Sequence, residues 1–286
     1  MTLRLKYSYL RKAALKLDPA LKAMSTAADE SVFDNWGLTT DRNRNPLTSN
    51  ARRYWSQSDE DGILEKILAR LETIGRGTFI EFGVGDGTEC NTLALLAKGW
   101  SGAWVSGQDL VFEPAEDGRL HFHKTWITLE NIESITKTVL QDLDVVNPDI
   151  VSLDLDGNDF HFTRSLLQNG LRASVWISEY NGRFPADAKW VMDYNPSHEW
   201  TGDDYYGASF ASFCELFEEF GYFPVACSVT GVNTFFVHKS FEGFFADITQ
   251  NRDEIYQLPN YNLPGSWGHP VSPKTLASLT QPISSS

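Results

Sequence analysis

Thr78-Phe79-Ile80-Glu81-Phe82 followed at once by Gly83-Val84-Gly85-Asp86-Gly87 is the stretch that decides the fold. Five residues, mostly β-branched or aromatic, read as a short buried strand. Three alternate glycines then let the backbone turn sharply into a helix and let a ligand approach it closely. A helix over residues 88–98, with Leu93, Leu95 and Leu96 apolar, completes a strand–glycine loop–helix unit.

The same alternation runs outward in both directions. Upstream, Ser56-Gln57-Ser58-Asp59-Glu60-Asp61 supplies N-capping groups to a helix carrying Ile63, Leu64, Ile67, Leu68 and Leu71, which Gly75 and Gly77 end. Downstream, strands are predicted over 103–106, 121–127, 149–154 and 174–179, and helices over 129–143, 160–167 and 210–220. Tyr222 to Val229 and Asn233 to His238 read as a hairpin around Thr230-Gly231-Val232. Strands alternating with helices imply crossover units, so the fold class is α/β, a Rossmann-like, mostly parallel seven-stranded sheet closed by an antiparallel C-terminal hairpin. Residues 1–53 read as a basic helix plus polar linker, 54–245 as the catalytic-type domain, and 246–286 as a Pro- and Ser-rich arm, extended or disordered beyond about residue 258.

A dinucleotide fingerprint needs glycine at 83, 85 and 88, but residue 88 is Thr and the third glycine is Gly87. With Glu81 two residues before the first glycine, the stretch resembles the acidic-x-Gly-x-Gly-x-Gly signature of class I S-adenosylmethionine-dependent methyltransferases. That cofactor has a cationic amino group and a sulfonium, which a carboxylate such as Glu81 stabilises. An acidic residue near the end of the next strand would serve the ribose hydroxyls; Asp109 is the candidate, three residues after Ser106.

Five segments together resemble FkbM-type methyltransferases across roughly residues 54–240: Ser56-Gln57…Glu60-Asp61-Gly62; Phe79 through Asn91; Gly99-Trp100-Ser101-Gly102-Ala103-Trp104; Ser152-Leu153-Asp154-Leu155-Asp156-Gly157-Asn158-Asp159; and Glu179-Tyr180-Asn181. The family usually has Glu or Asp where this chain has Ser106. The resemblance implies methyl transfer in polysaccharide or glycoside biosynthesis, onto a sugar or glycan hydroxyl. It implies S-adenosylmethionine held around Gln57, Glu81, Gly83, Gly85, Asp86, Asp109 and Asp154.

In an open α/β sheet the ligand crevice lies at the carboxyl ends of the strands. The fourth and fifth predicted strands end in Asp154…Asp159 and Glu179-Tyr180-Asn181, so these carboxylates converge and repel one another unless a proton or cation intervenes. An all-oxygen set suits Mg²⁺, and the sugar O-methyltransferases of related layout imply such a metal here. The expected ligands are Asp156, Glu179 and Asn181, with Asp159 as base, Asp156 beside it, and His161 or His198 as the histidine alternatives. The plainer reading of Asp156-Gly157-Asn158-Asp159 is a turn and helix cap. Aromatics and carboxylates from Tyr194 to Tyr206 suit a carbohydrate-facing loop, or an ordinary acidic surface.

Charge bounds the partners. The chain of 286 residues has 24 Lys+Arg against 38 Asp+Glu, net −14, which argues against nucleic acid. Residues 1–25 hold six basic residues and one acid, net +5, leaving −19 for the rest. That head could dock on the acidic body, a second copy of the chain or other partner, or the inner membrane surface. No run of about 18 apolar residues and no secretory signal is visible, and Cys90, Cys214 and Cys227 read as reduced core thiols of a cytoplasmic protein. Two other functional readings compete: a haloacid-dehalogenase-type phosphatase, from Asp154-Leu155-Asp156-Gly157, and a non-catalytic binding subunit, from Ser106.

Overall fold

The structure, a computed structural model, describes residues 45–72, 76–116, 118–260 and 272–282. The basic segment 1–25 lies outside these residues. Seven strands form one sheet: β1 (Thr78–Phe82), β2 (Ser101–Ser106), β3 (Leu120–Lys124), β4 (Ile150–Leu153), β5 (Val175–Glu179), β6 (Tyr222–Cys227) and β7 (Asn233–His238), in spatial order β3-β2-β1-β4-β5-β7-β6. Pairings from β3 to β5 are parallel, whereas β7 runs antiparallel to both β5 and β6. This is the Rossmann-like α/β sheet the alternating pattern calls for.

Period two assigns each strand residue to a face. Phe79, Trp104, Ile150, Ile177 and Phe235 pack on one side against α1 (Glu60–Arg70) and α2 (Leu93–Ala97). Ile80, Phe82, Val105, Val151, Leu153 and Trp176 pack on the other, against α3 (Ile132–Asp142), α4 (Asp159–Gln168) and α5 (Phe210–Glu219). Both faces are covered, so the central strands are apolar throughout. Pro224, which cannot donate to a ladder, sits on edge strand β6 beside a register shift. All three cysteines are buried and unbridged. Among the described residues no helix is long and apolar enough to cross a membrane.

Two expectations change. The carboxylates before α1 do not cap it: N-cap Asp59 makes no side-chain cap bond. Instead Asp59 accepts from the Val229 and Thr230 amides, at 2.7 and 3.3 Å, tying α1 to the β6–β7 turn. Asp61 Oδ2 accepts from the Tyr54, Trp55 and Ser56 amides at 2.6, 2.8 and 2.9 Å, folding the preceding loop back over the helix. Long-range partners outcompete the local cap because they satisfy more buried amides.

The C-terminal stretch is the second change. After α6 (Arg252–Ile255), residues 272–282 are not an extended arm but contain α7 (Pro273–Leu279). Ser272 caps its start by accepting from the Lys274 amide, with Pro273 in the first turn. Leu276 is wholly buried and joins the α1-side core. The Arg119 guanidinium donates to the carbonyls of Leu96, Trp100, Leu279 and Gln281, and its backbone N–H donates to Thr280 O at 2.8 Å. At the other end, Leu47 is buried and the Asn45 amide donates to Val225 O at 2.7 Å, so the packed region extends upstream of residue 54.

Leu276→Ala should therefore cost about 2–5 kcal/mol of unfolding free energy, as a large-to-small change in a filled core. Urea denaturation checks this; a cost within about 0.5 kcal/mol, the scale of a surface change, would mean α7 is not packed.

Candidate functional site

Strand order reverses at β1: the chain goes to β2 and β3 on one side, then to β4 and β5 on the other. The crevice at the carboxyl ends of β1 and β4 is the topological switch point of such a sheet. Gly83 occupies it with φ +92°, and a Cβ there would lie 1.6 Å from the Asp154 carbonyl oxygen. Only glycine lets these two strand ends touch. Gly85, at φ +55°, has nothing within 4 Å of the place a Cβ would take, so the outer side of the loop faces open space.

Glu81 fixes this loop from below. It is 4% exposed. One carboxylate oxygen accepts from the Asn91 amide at 2.8 Å; the other accepts from the Thr92 amide at 3.0 Å and from its hydroxyl. Ser152, its cross-strand neighbour on β4, adds a bond at 3.4 Å. Glu81 thus clasps the start of α2, directly below the glycines. Asp86 Oδ1 accepts from the Thr88 amide and hydroxyl at 3.1 and 2.6 Å, holding the outer turn.

Toward β2, Ser106 donates to Gly85 O at 3.1 Å and accepts from the Gln108 amide at 3.2 Å. Its small hydroxyl braces the loop where a longer acid would project beyond it. Asp109 stands apart, its side chain 81% exposed and 2.6 Å from Lys124 Nζ. Gln57 is half-buried in the segment before α1.

Beyond β4, Asp154, Asp156 and Glu179 place carboxylate oxygens all within 4.8 Å of one another. Burial, then the neighbouring carboxylates, hold Asp154 and Glu179 well above the usual carboxylate range. Burial also raises Asp156, with His198 opposing. Glu179 Oε2 is buried and accepts no hydrogen bond. Asp156 has a left-handed backbone, φ +55°, a conformation that sequence does not announce for an aspartate.

Asn181 is not aimed at this trio. Its amide donates to the carbonyls of Asp204 and Tyr206 at 2.8 and 3.0 Å, and its oxygen accepts from the Arg183 amide at 3.1 Å. Asp159 opens α4 with both oxygens engaged by the turn it closes, Leu155 N at 2.7 Å and Gly157 N at 2.8 Å. The turn reading of Asp159 therefore holds in the geometry, although no side chain caps α4, and its carboxylate is committed to backbone. His161 Nε2 lies 2.7 Å from Met192 O, tying α4 to the loop that follows β5.

The loop that follows β5 completes the site. Asn158 and Asn195 bond reciprocally, Asn158 Nδ2 to Asn195 O at 2.7 Å and Asn195 N to Asn158 Oδ1 at 3.0 Å. Gly207 N donates to Gly157 O at 2.8 Å. The His198 ring lies on Gly157, where a Cβ would be 2.3 Å from its Cδ2, and its Nε2 is buried without a partner. The loop from Asn195 to Gly207 is thereby fastened onto the Asp156–Asn158 turn. The readable signal for this loop is its composition, aromatics and acids from Tyr194 to Tyr206.

No protein-family model matches the chain, and neither does any curated protein. Among solved structures it is similar to the 1,6-didemethyltoxoflavin N1-methyltransferase of Burkholderia thailandensis, solved with bound 1,6-didemethyltoxoflavin and S-adenosylhomocysteine. That match has 14% identity and a TM-score of 0.35 over 83% of this chain and 89% of that one. It is similar to the CurJ carbon methyltransferase at 11% identity and TM-score 0.35, over 80% and 70% of the two chains. It is similar to the fibrillarin/Nop5p complex at 10% identity and TM-score 0.33, over 60% and 80%. The architecture itself is fixed by strand order and register rather than by these likenesses.

Burial pushes the Glu81 carboxyl from 4.5 up to about 6, its hydrogen bonds opposing. Between those values the folded chain holds a proton the unfolded chain has lost, so stability falls as pH rises from 4.5 to about 6. One proton sets a slope of at most about 1.4 kcal/mol per pH unit. Glu81→Gln should flatten that segment of a stability-against-pH curve measured by urea midpoints; an unchanged slope would show that Glu81 does not titrate there.

Proposed function

We propose that the chain is an S-adenosylmethionine-dependent O-methyltransferase of FkbM type, methylating a sugar hydroxyl in polysaccharide or glycoside biosynthesis. The observation that carries this is the switch-point contact of Gly83 on Asp154, with Gly85 facing open space above a Glu81-clasped turn. A glycine loop so held presents backbone to a ligand, and the acids beside it favour a cationic one. A pyrophosphate would meet those same carboxylates unfavourably. The phosphatase reading needs its aspartates in the first strand of the domain; here they follow β4, the fourth.

In the reaction the acceptor oxygen attacks the cofactor's methyl carbon and the sulfur–methyl bond breaks. The electron pair goes to sulfur, leaving neutral S-adenosylhomocysteine, and the hydroxyl proton passes to a base. Catalysis is then mostly alignment plus deprotonation. Asp154 serves the cofactor side and Asp156 the acceptor side. Asp159 and His161 hold the turn and the loop that place them. Gln57 belongs to the cofactor side, with Ser106 bracing the glycine loop, whereas Asp109 would reach the ribose only by leaving its ion pair with Lys124.

The trio of carboxylates also fits a hard divalent cation: three oxygen donors on two strand ends, one of them the bondless Glu179 Oε2. Asp154, Asp156 and Glu179 would hold it, and Asn181, bonded to the Asp204 and Tyr206 carbonyls, would not be a ligand. Such a cation lowers the pKa of a coordinated hydroxyl.

Calorimetric titration with S-adenosylmethionine and S-adenosylhomocysteine tests the cofactor reading. Gly85→Ala, which points a methyl into the open space, should weaken both by about tenfold or more. Absence of any binding by the unaltered chain would remove the methyltransferase assignment. Asp156→Ala should retain cofactor affinity while abolishing methyl transfer.

Manganese titration followed by electron paramagnetic resonance tests the cation. Asp156→Asn or Glu179→Gln should weaken binding by about 10–100-fold, and Asn181→Ala far less. Equal losses in all three would reject the Asp154–Asp156–Glu179 set.

A further inference from the structure

The loop fastened onto the Asp156–Asn158 turn carries a surface that the cofactor reading does not use. Trp200 and Tyr205 are each 48% exposed, and Trp126, just after β3, is 52% exposed. Trp126 belongs to the same rim: its indole N–H donates to Pro196 O at 2.8 Å, and its ring lies over Gly107, just past the end of β2. The Trp200 indole N–H donates to Asp203 O at 2.7 Å, which holds that ring, and the Tyr205 backbone amide donates to Asp203 Oδ1 at 3.0 Å, which holds the loop that carries the second ring. Tyr205 also packs edge-on against His198, the ring seated on Gly157.

The charge on this rim is predominantly negative. Asp193, Glu199, Asp203 and Asp204 are all exposed. From Trp190 to His238 the sequence contains no Lys or Arg. The neighbouring cations already face carboxylates: Arg183 is 3.6 Å from Asp204, Lys189 is 2.6 Å from Glu215, and Lys124 is 2.6 Å from Asp109. Flat exposed rings accept the C–H face of a sugar. Aromatic faces bordered by a net excess of carboxylates attract a cation and repel a phosphate or uronate.

Resting on the methyltransferase reading above, we propose that Trp126 and the Asn195–Gly207 loop form the acceptor-binding surface, and that it selects an amine-bearing, hydroxyl-rich compound. An amino sugar or aminocyclitol with a protonated amine meets both features: ring hydroxyls and C–H faces for the aromatics, and an ammonium for the acids. Nucleotide sugars and phosphorylated or uronic-acid glycans are excluded by charge.

The test uses the full chain, isotopically labelled for NMR, and three matched probes: methyl 2-amino-2-deoxy-β-D-glucopyranoside, methyl β-D-glucopyranoside and methyl β-D-glucuronopyranoside. The amino glycoside should bind about tenfold or more tightly than the neutral one. It should shift the Trp126 and Trp200 indole signals and weaken between about 50 mM and about 500 mM salt. The glucuronide should show no saturable binding. The double variant Asp193→Asn/Glu199→Gln should erase the preference for the amine while Trp200 shifts persist with the neutral glycoside. Equal binding of all three probes, tighter binding of the glucuronide, shifts confined to other surfaces, or no binding by any probe overturns the proposal. S-adenosylmethionine titrated into the same sample separates the two readings. If it binds while the probe order fails, only the amine preference falls; if it does not bind, the surface is not an acceptor site and both fall.

Discussion

The contact between Gly83 and the carbonyl of Asp154 is the constraint on which the rest of the site depends. Two segments about seventy residues apart, each leaving a neighbouring parallel strand, approach until there is no room for a methyl group. That closeness brings the glycine loop and the first carboxylate of the acidic trio to one point. It also explains the support around them. Glu81 binds the start of α2 from below, Ser106 braces Gly85 from the side, and Asp159 closes the turn that carries Asp156. Each of these polar side chains spends its hydrogen-bonding capacity on backbone, which is how a loop becomes rigid without a hydrophobic core of its own.

Carboxylates in this protein divide into two kinds by what they face. Asp59, Asp61, Glu81 and Asp159 are buried against amide N–H groups, which replace the water they have lost. Asp154, Asp156 and Glu179 face one another. The first kind organises the chain; the second stores repulsion that a proton, a metal ion or a cationic ligand relieves. Reading Glu81 and Asp159 as ligand-binding groups alongside Asp154, Asp156 and Glu179, from their position at strand ends, treats the two kinds alike, and only the direction of each side chain separates them.

That is also the boundary of what was legible in the sequence. Phe79-Ile80-Glu81-Phe82 and Asn233–His238 are apolar, β-rich and bounded by turn residues, so β1 and β7 fall where local pattern puts them. The sheet order follows because crossover units permit few alternatives. Asn181 and Asp159 were placed by position alone, and their partners, Tyr206 O and Gly157 N, are set by loops whose path carries no periodic signal. The final helix was hidden for a different reason. Its seven residues hold a single buried anchor, Leu276, and its hold on the domain comes from Arg119, about 160 residues earlier. Pro and Ser in that stretch mark a helix start as readily as they mark disorder.

The Arg119 clasp sets an order of events on the ribosome. One guanidinium gathers carbonyls from Leu96 and Trp100, beside the glycine loop's helix, and from Leu279 and Gln281, near the far end of the chain. Asn45 makes a second long-range clasp, on Val225 of edge strand β6. A nascent chain emerging in sequence can pair β1 with β2 and β4 early, yet it cannot close the Asn45 clasp before residue 225 has emerged, or the Arg119 clasp before residues 279–281 have. Until then the α1-side core lacks Leu276, and Arg119 has only half its carbonyls. A chain cut short before residue 272 keeps all seven strands while losing the side chain that seals one face.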